Sequence, residues 1–212
     1  MKQLMENWRK FINEGIDPRI QKQIDELPDN IVIEITDEDS FGMMFRYKNT
    51  TGAPSSLFGE VEINPSDDPP SYKSDVGDGP CLKAWTVLIS GAQKGWGPLL
   101  YEVALEWASQ NGGGLASDRR SVSKQAAAVW DKYLQRADVV KKQLDALNRD
   151  VEKLTPEDPT DDCLQNSAIR SSGKEGWMND PLSKVYFKPN AEVMSALKER
   201  GKLEMNLSEG KK

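Results

Sequence analysis

The sequence of 212 residues contains no histidine. This absence excludes serine and cysteine triads that depend on imidazole, zinc motifs built on paired histidines, and the side chain that most often acts as a general base near neutral pH. Any chemistry must therefore use carboxylates, tyrosine, serine, cysteine, lysine, backbone dipoles or a bound cofactor.

Cysteine is nearly as scarce, since Cys81 and Cys163 are the two in the chain. They lie far apart in the sequence and form no CxxC, so neither a metal knuckle nor a disulfide framework is predicted. Acidic clusters such as Asp161 with Asp162 lack the D-x-D-x-D-G spacing of a calcium loop and are interpreted as solvated loops. We therefore expect no metal site, an unreactive Cys163 and a reducing, cytoplasmic setting.

Long apolar runs are also missing from the sequence. No stretch approaches the roughly 18 consecutive apolar residues of a membrane-spanning helix, and the amino terminus lacks the uninterrupted apolar segment of a secretory signal. The 28 basic and 34 acidic residues give a formal charge of −6, which repels phosphate backbones. The sequence thus predicts a protein with neither a membrane nor duplex nucleic acid as partner.

Helical and strand patterns alternate along the chain. Apolar residues at helical spacing predict two short helices within residues 2–27, and short alternating runs predict three strands, followed by a mostly apolar fourth strand. We expect one α/β (α+β) domain over residues 1–212, with a core of about 31–135, a last strand at about 182–189 and an insertion of one helix and a loop over 139–181. The predicted strands are 31–35, 43–49, 59–65, 83–90, 114–117 and 182–189, and the predicted helices beyond residue 30 are 99–111, 122–134, 139–154 and 191–201.

The fourth predicted strand runs through Gly91–Pro98 (GAQKGWGP) directly into a helix. In such a unit, successive backbone amides converge at the helix amino terminus and favour an anionic group such as pyrophosphate. Gly95 and Gly97 would permit positive φ or close backbone approach. The alternative is a plain tight turn with a proline at the first helical position, and the turn alone favours neither interpretation. Within the helix, Glu102 and Glu106 are predicted on the side away from the apolar stripe.

The order of predicted elements and two short motifs resemble the Gcn5-related N-acetyltransferase (GNAT) superfamily. The family loop Q/R-x-x-G-x-G/A has its counterpart in Ala92–Gly97 (AQKGWG), and the family motif N-x-x-A-x-x-F-Y has its counterpart in Ser123–Trp130 (SKQAAAVW). The resemblance covers roughly residues 31–135. The segments 91–108 and 112–133 together are similar to divergent GNAT-like proteins encoded by bacteriophages. The resemblance implies a twisted mixed β-sheet flanked by helices and splayed after the fourth strand.

The resemblance also implies an acyl-coenzyme A dependent N-acyltransferase, one that transfers acetyl from acetyl-CoA to an amine of a small molecule or a protein. The setting would be the cytoplasm, or the host cytoplasm for a phage-encoded protein. The backbone near Leu88 and Ile89 would hold the pantetheine and polarise the acyl carbonyl. The other cofactor-binding residues that the resemblance implies are Gln93, Lys94, Gly95, Trp96, Gly97 and Leu99 through their amides, and Ser123 at the asparagine position of the second motif.

Acyl transfer without histidine needs another group to remove a proton from the amine. Glu60 and Glu62 alternate with apolar residues on the third predicted strand and share one face, so either is a candidate base; the alternative is the solvated face of a half-buried strand. Trp130 stands where many relatives have the tyrosine that protonates the departing thiolate. Tyr133, on the same helix face, is the candidate acid, and the alternative is that both rings belong to the core.

Departures from the family pattern keep a second hypothesis open beside the acyltransferase. Ala92 occupies the Q/R position, Pro98 removes an amide donor and Ser123 replaces the asparagine. The alternative is therefore a catalytically inactive GNAT-like phage protein that serves as a protein-interaction or virion-associated module. Trp96 and Trp177, in or beside predicted loops, suit it because aromatic residues are enriched in recognition surfaces. A nucleotide-binding protein ranks last, since the chain has neither GK[ST] nor GxGxxG.

Overall fold

The computed structural model describes residues 15–37, 42–54, 56–66, 79–147, 153–165 and 173–208. The first of the two helices predicted within residues 2–27 falls largely outside these described residues. The strands are β1 (Ile31–Asp37), β2 (Met43–Asn49), β3 (Gly59–Pro65), β4 (Trp85–Ala92), β5 (Leu115–Ala116), β6 (Val140–Gln143), β7 (Asp145–Ala146), β8 (Asp162–Cys163), β9 (Lys184–Phe187) and β10 (Leu203–Asn206). The helices are α1 (Pro18–Glu26), α2 (Gly97–Asn111), α3 (Lys124–Gln135), α4 (Gly173–Asn179) and α5 (Glu192–Glu199).

Eight of the described strands form one sheet in the order β10-β1-β2-β3-β4-β5-β9-β6, and β7 pairs with β8 separately. Neighbours in the large sheet are antiparallel except for two parallel pairs, β1 with β10 and β4 with β5. The fold is therefore mixed α/β, with a mostly antiparallel sheet flanked by helices, which confirms the predicted α/β (α+β) class. In the part of the chain that the structure describes, no helix combines the length and apolar character needed to cross a membrane.

Strands β1 to β3 form because apolar and polar residues alternate along them, so that one face of the sheet is buried. Phe45 in β2 lies opposite Ile35 in β1 and Val61 in β3, and all three side chains are buried. On the other face Val32 and Glu34 of β1 are also buried, and the Glu34 carboxylate forms a salt bridge with Arg46 at 2.8 Å. Burial alternates along β2 and β3, which confirms the alternation that predicts these two strands.

Helix α2 lies at the centre of the core, since every residue from Leu99 to Ser109 is buried. Glu102 and Glu106 are buried as well, although the sequence predicts them on the side of the helix away from its apolar stripe. Lys188, itself buried, donates to Glu102 at 2.8 Å and to Glu106 at 2.7 Å, so the buried charges are paired. Besides strands of the sheet, β9 among them, α2 packs against α1 and α5. The pairing of its two carboxylates depends on Lys188, which follows Glu102 by 86 positions and Glu106 by 82.

Strands β4 and β5 part soon after they begin. β4 pairs with β3 over its whole length, Trp85–Ala92, but with β5 only at its first two residues. A register shift in the β3–β4 pairing leaves Leu88 without a partner, and such a bulge increases local twist. Beyond Thr86 no described strand pairs with this edge of β4. Leu88 and Ile89 are consequently 48% and 52% exposed beside the gap.

The insertion differs from its prediction. In their described part, residues 139–154 form the strands β6 and β7 instead of a helix. β6 pairs antiparallel with β9, whose Val185 and Tyr186 are fully buried. Pairing with that strand edge therefore outweighs the helical spacing of the local sequence. Leu203–Asn206, for which no element is predicted, likewise form β10 by pairing with β1.

Cys81 and Cys163 form a disulfide, so the prediction of no disulfide is wrong. The two residues are 82 positions apart, yet their Cα atoms are separated by 4.8 Å, because spacing along the chain does not determine closeness in the fold. The bond joins the turn before β4 to β8. At Gly113 the chain passes this turn so closely that a Cβ atom would overlap the carbonyl oxygen of Leu82.

Candidate functional site

Two adjoining cavities open where β4 and β5 part. The larger, of about 560 Å³, lies among the end of β4, the Gly91–Pro98 turn and α3. The smaller, of about 220 Å³, lies between β4 and the segment that leads into α3. Ser90, Tyr101, Ser123 and Ala126 line both cavities. The two cavities therefore adjoin at these four residues, and a ligand that fills the larger cavity would reach the smaller one there.

The glycine turn brings the amino terminus of α2 to the larger cavity. Gly95 has a φ of +95°, a conformation that favours glycine, and a Cβ atom there would meet no atom within 4 Å. At Gly97 a Cβ atom would lie 3.6 Å from the Ala92 Cβ, an ordinary contact. Trp96, at the N-cap, provides no side-chain cap. The start of α2 thus faces open space without a cap, an arrangement that favours an anion.

Two of the predicted amide donors are already used. The Gln93 amide donates to the Phe58 carbonyl at 2.8 Å, and the Trp96 amide donates to the Gln93 carbonyl at 3.0 Å. The prediction that these two amides bind a cofactor is therefore wrong, because the chain's own carbonyls engage them. Pro98 has no amide hydrogen. The predicted donors that have no acceptor among the described residues are the amides of Lys94, Gly95, Gly97 and Leu99.

Among the residues that the structure describes, the charged side chains that line the larger cavity are Lys94, Lys132 and Glu60. These two cations and one carboxylate make its described lining net positive, in contrast to the acidic chain as a whole. Lys132 is absent from the sequence prediction, although Gln125, Val129 and Lys132 share one face of α3 at the spacing of helical neighbours. All three of these residues line the cavity.

The other predicted cofactor-binding residues divide between the cavities and the core. Leu88 and Ile89 line the smaller cavity, and Ser123 lines both while its hydroxyl caps α3 by accepting from the Ala126 amide at 3.2 Å. Trp96 and Leu99 line neither cavity. The Trp96 ring packs edge-on against Tyr47 with ring centres 5.9 Å apart, and the Leu99 side chain is fully buried.

The two candidate bases differ in position. Glu60 and Glu62 lie on one face of β3, where alternation places them. Glu60 lines the larger cavity, whereas Glu62 lines neither cavity and lies opposite Ile89 in the β3–β4 pairing. The structure therefore brings Glu60, and not Glu62, to the candidate site.

Tyr133, the candidate acid, lies in an aromatic core and lines neither cavity. It is 3% exposed, and its ring centre lies 5.8 Å from that of Trp130 and 5.6 Å from that of Tyr186. Burial raises the pKa of Tyr133 well above its ordinary value, and the nearby Glu102 carboxylate raises it further. Packing of β9 against α3 is what removes Tyr133 from the site.

Tyr101 is the tyrosine that reaches the site, and sequence reasoning misses it. It lines both cavities, and its hydroxyl donates to the Ser90 hydroxyl oxygen at 2.9 Å. Burial raises the pKa of Tyr101 above its ordinary value, so the phenol remains protonated at neutral pH. The one signal in the sequence is its position four residues after Gly97, which places it one turn into α2 on the same face.

A separate acidic cluster lies in the insertion. One carboxylate oxygen from each of Asp145, Asp161 and Asp162 lies within 4.8 Å of the others. Asp145 is fully buried, and Asp161 and Asp162 are 9% and 8% exposed, so the prediction that Asp161 and Asp162 lie in a solvated loop is wrong. The Lys153 ammonium donates to both carboxylate oxygens of Asp162, at 2.8 and 2.7 Å. Asp145 also accepts three backbone amides. The cluster thus has an internal cation, and we assign no metal to it.

No protein-family model, curated protein or solved structure matches this chain. Its site is therefore interpreted from its geometry. That geometry combines a helix start without a side-chain cap beside two lysines, a strand edge that no described strand pairs with, and a protonated tyrosine where two cavities adjoin. Such a site can hold an extended ligand with an anionic end and offer a proton to a group at the junction.

Proposed function

We propose that the protein is an acyl-coenzyme A dependent N-acyltransferase with a GNAT-like fold. The observation that carries this proposal is the pair of cavities that adjoin at Ser90 and Tyr101, where β4 and β5 part. The larger cavity has the cationic lining and helix start suited to a phosphorylated carrier. The smaller cavity lies beyond the junction, where an acceptor would enter.

The carrier would be held through backbone groups and two lysines. The amides of Lys94, Gly95 and Gly97 would donate to the pyrophosphate, and the ammonium groups of Lys94 and Lys132 would add charge attraction. The edge of β4 near Ser90 offers backbone groups to the amides of the pantetheine arm, as a strand edge does to an added strand. These contacts explain why the site needs no histidine and few polar side chains.

The chemistry would use two proton positions. The bound thioester supplies an activated acyl carbon, at which a C–N bond to the amine forms as the C–S bond breaks. An amine that arrives as an ammonium first releases one proton to solvent. Glu60 accepts the second proton, which the nitrogen loses as the amide forms, directly or through water. Tyr101 holds a proton on its phenolic oxygen and donates it to the thiolate sulfur. Return of a proton from Glu60 to Tyr101 through solvent restores both groups, so each ammonium consumed releases one proton to solvent.

A second candidate function is a catalytically inactive binding module. The observation that favours it is the exposure of apolar side chains on and near β4: Phe58, whose ring lies near Gly91, is 59% exposed, and Leu88 and Ile89 are about half exposed. Exposed apolar groups of this kind suit a protein partner. The burial of Tyr133, at the end of the helix that carries the second family motif, also agrees with a loss of catalysis.

Calorimetric titration with acetyl-CoA, coenzyme A and ATP tests the proposal. We expect micromolar binding of both coenzyme A forms and weaker binding of ATP, which lacks the pantetheine arm. A thiol-release assay with acetyl-CoA and a panel of primary amines then tests catalysis. Absence of binding by all three ligands would contradict the proposal, and binding without thiol release from any amine would favour the inactive module.

A further inference from the structure

The smaller cavity combines an apolar wall with hydroxyl groups and a single charge. Leu88, Ile89, Val122 and Trp130 form the apolar wall, Ser121 and Ser123 add hydroxyl groups, and Asp118 is the one charged side chain among the described residues that line the cavity. Its volume of about 220 Å³ is below the roughly 300–1,000 Å³ of pockets for drug-sized ligands. The cavity therefore suits a small organic group or a single side chain.

Backbone contacts fix the position of the Asp118 carboxylate. Its Oδ1 atom accepts the amides of Arg120 at 2.7 Å and Ser121 at 3.3 Å, which holds the side chain at the turn before α3. The neighbouring Arg119 guanidinium donates to the Thr86 hydroxyl at 2.9 Å, and neither of these two residues lines the cavity. The negative charge of Asp118 is also one of the causes that raise the pKa of Tyr101, so the two groups are in electrostatic range.

We infer that the smaller cavity is a specificity site for a primary amine carried on an apolar group, with Asp118 binding the ammonium. The apolar wall would take the body of the ligand, and the carboxylate would take its charged end. A cation with no apolar group would contact the carboxylate only, and an apolar alcohol with no charge would contact the apolar wall only. As the acceptor site of an acyltransferase this inference rests on the proposed function, but amine binding itself does not require acyl-CoA.

The test measures binding of three probes to the full chain by calorimetry without acyl-CoA. The probes are 2-phenylethylamine, its neutral isostere 2-phenylethanol, and ethanolamine, which has the charge without the apolar group. We expect 2-phenylethylamine to bind about tenfold more tightly than either of the others, as a charge-assisted hydrogen bond and apolar burial together require. Equal binding of the amine and the alcohol, or no binding of any probe, would overturn the inference.

Two carboxylate variants locate the charge that selects the amine. Asp118→Asn keeps an oxygen that accepts the turn amides while it removes the charge, so the affinity for the amine should fall to that for the alcohol. Asp131→Asn is the matched control, since it removes an exposed carboxylate of α3 that lines neither cavity, and it should leave the preference unchanged. The opposite pattern, with the preference lost in Asp131→Asn and kept in Asp118→Asn, would contradict the assignment.

Ile89→Lys provides a second variant that does not disturb the turn. The Ile89 side chain is 52% exposed at the cavity, so the fold would tolerate a lysine there. The added ammonium would pair with Asp118 and repel the ammonium of the ligand at the cavity mouth. It should abolish the preference for the amine, and retention of that preference would contradict the inference. Failure of acetyl-CoA to bind would refute the proposed acyltransferase while leaving the amine site to be judged by these probes.

Discussion

Replacement of the buried lysine beneath α2 should destabilise the protein strongly. Lys188 is 2% exposed, and its ammonium donates to Glu102 at 2.8 Å and to Glu106 at 2.7 Å. Lys188→Met keeps most of the side-chain volume but leaves Glu106 buried without its cation, while Glu102 retains Arg136. Removal of one partner from a buried ion pair costs about 3–5 kcal/mol, so we expect a loss of that size in the free energy of unfolding at pH 8.

The loss should depend on pH with a definite sign. Burial raises the pKa of Glu106, and the charge of Lys188 opposes this rise. Without Lys188 the pKa of Glu106 in the folded protein rises further above its value in the unfolded chain. A carboxyl group with a raised folded pKa stabilises the fold at low pH and loses this contribution as pH increases through the folded pKa. The destabilisation by Lys188→Met should therefore be largest at pH 8 and decrease towards pH 5.

Urea denaturation followed by tryptophan fluorescence at pH 8, 7, 6 and 5 measures this effect. Adding Glu106→Gln to Lys188→Met should recover part of the lost stability, because the amide removes the buried charge. Lys22→Met is a matched control: Lys22 lies 3.7 Å from Glu26 with both side chains exposed, and its loss should cost below about 0.5 kcal/mol. A cost for Lys188→Met under about 1 kcal/mol, or one that is constant across this pH range, would refute the reasoning.

Three further predictions concern the site and the chain that supports it. If thiol release occurs, Tyr101→Phe should lower its rate by about a hundredfold while Tyr133→Phe leaves it unchanged, and the reverse result would exclude Tyr101 as proton donor. Cys81→Ser should lower the free energy of unfolding by about 2–4 kcal/mol, and a urea midpoint equal to that of the unsubstituted protein would contradict a closed 82-residue loop. Gly113→Ala should cost more than about 2 kcal/mol because of backbone overlap, whereas Gly15→Ala, with no atom near its Cβ, should cost below about 0.5 kcal/mol; equal thermal melting of the two variants would contradict this.

Local patterns in the sequence identify much of the fold. β2 and β3 have the predicted bounds because their alternation reflects one buried face. The glycine turn before α2 is also found where strand, turn and helix succeed one another. These features depend on neighbours within a few residues, which is why a single sequence contains them.

Features that depend on distant partners are not visible in the sequence. Glu102 and Glu106 can be buried because Lys188, the residue that follows β9, pairs with both of them, and no local pattern in the sequence indicates this pairing. β6 and β10 form because a strand edge is available to pair with them. The replacement of Tyr133 by Tyr101 as the candidate proton donor also depends on distant partners. Tyr186 of β9 packs against Tyr133 and encloses it, whereas the parting of β4 and β5 opens the cavity beside Tyr101.

The most direct test of the central claim compares the binding of acetyl-CoA to Gly97→Glu and Gly97→Ala. The Ala92 Cβ is 3.6 Å from a Cβ at Gly97, so both variants have room to fold, and an acidic residue in the first turn of a helix is itself stabilising. If the start of α2 binds the pyrophosphate, Gly97→Glu should weaken acetyl-CoA binding by about a hundredfold at unchanged thermal stability, and Gly97→Ala by less than about threefold. Equal affinity of the two variants would contradict the claim.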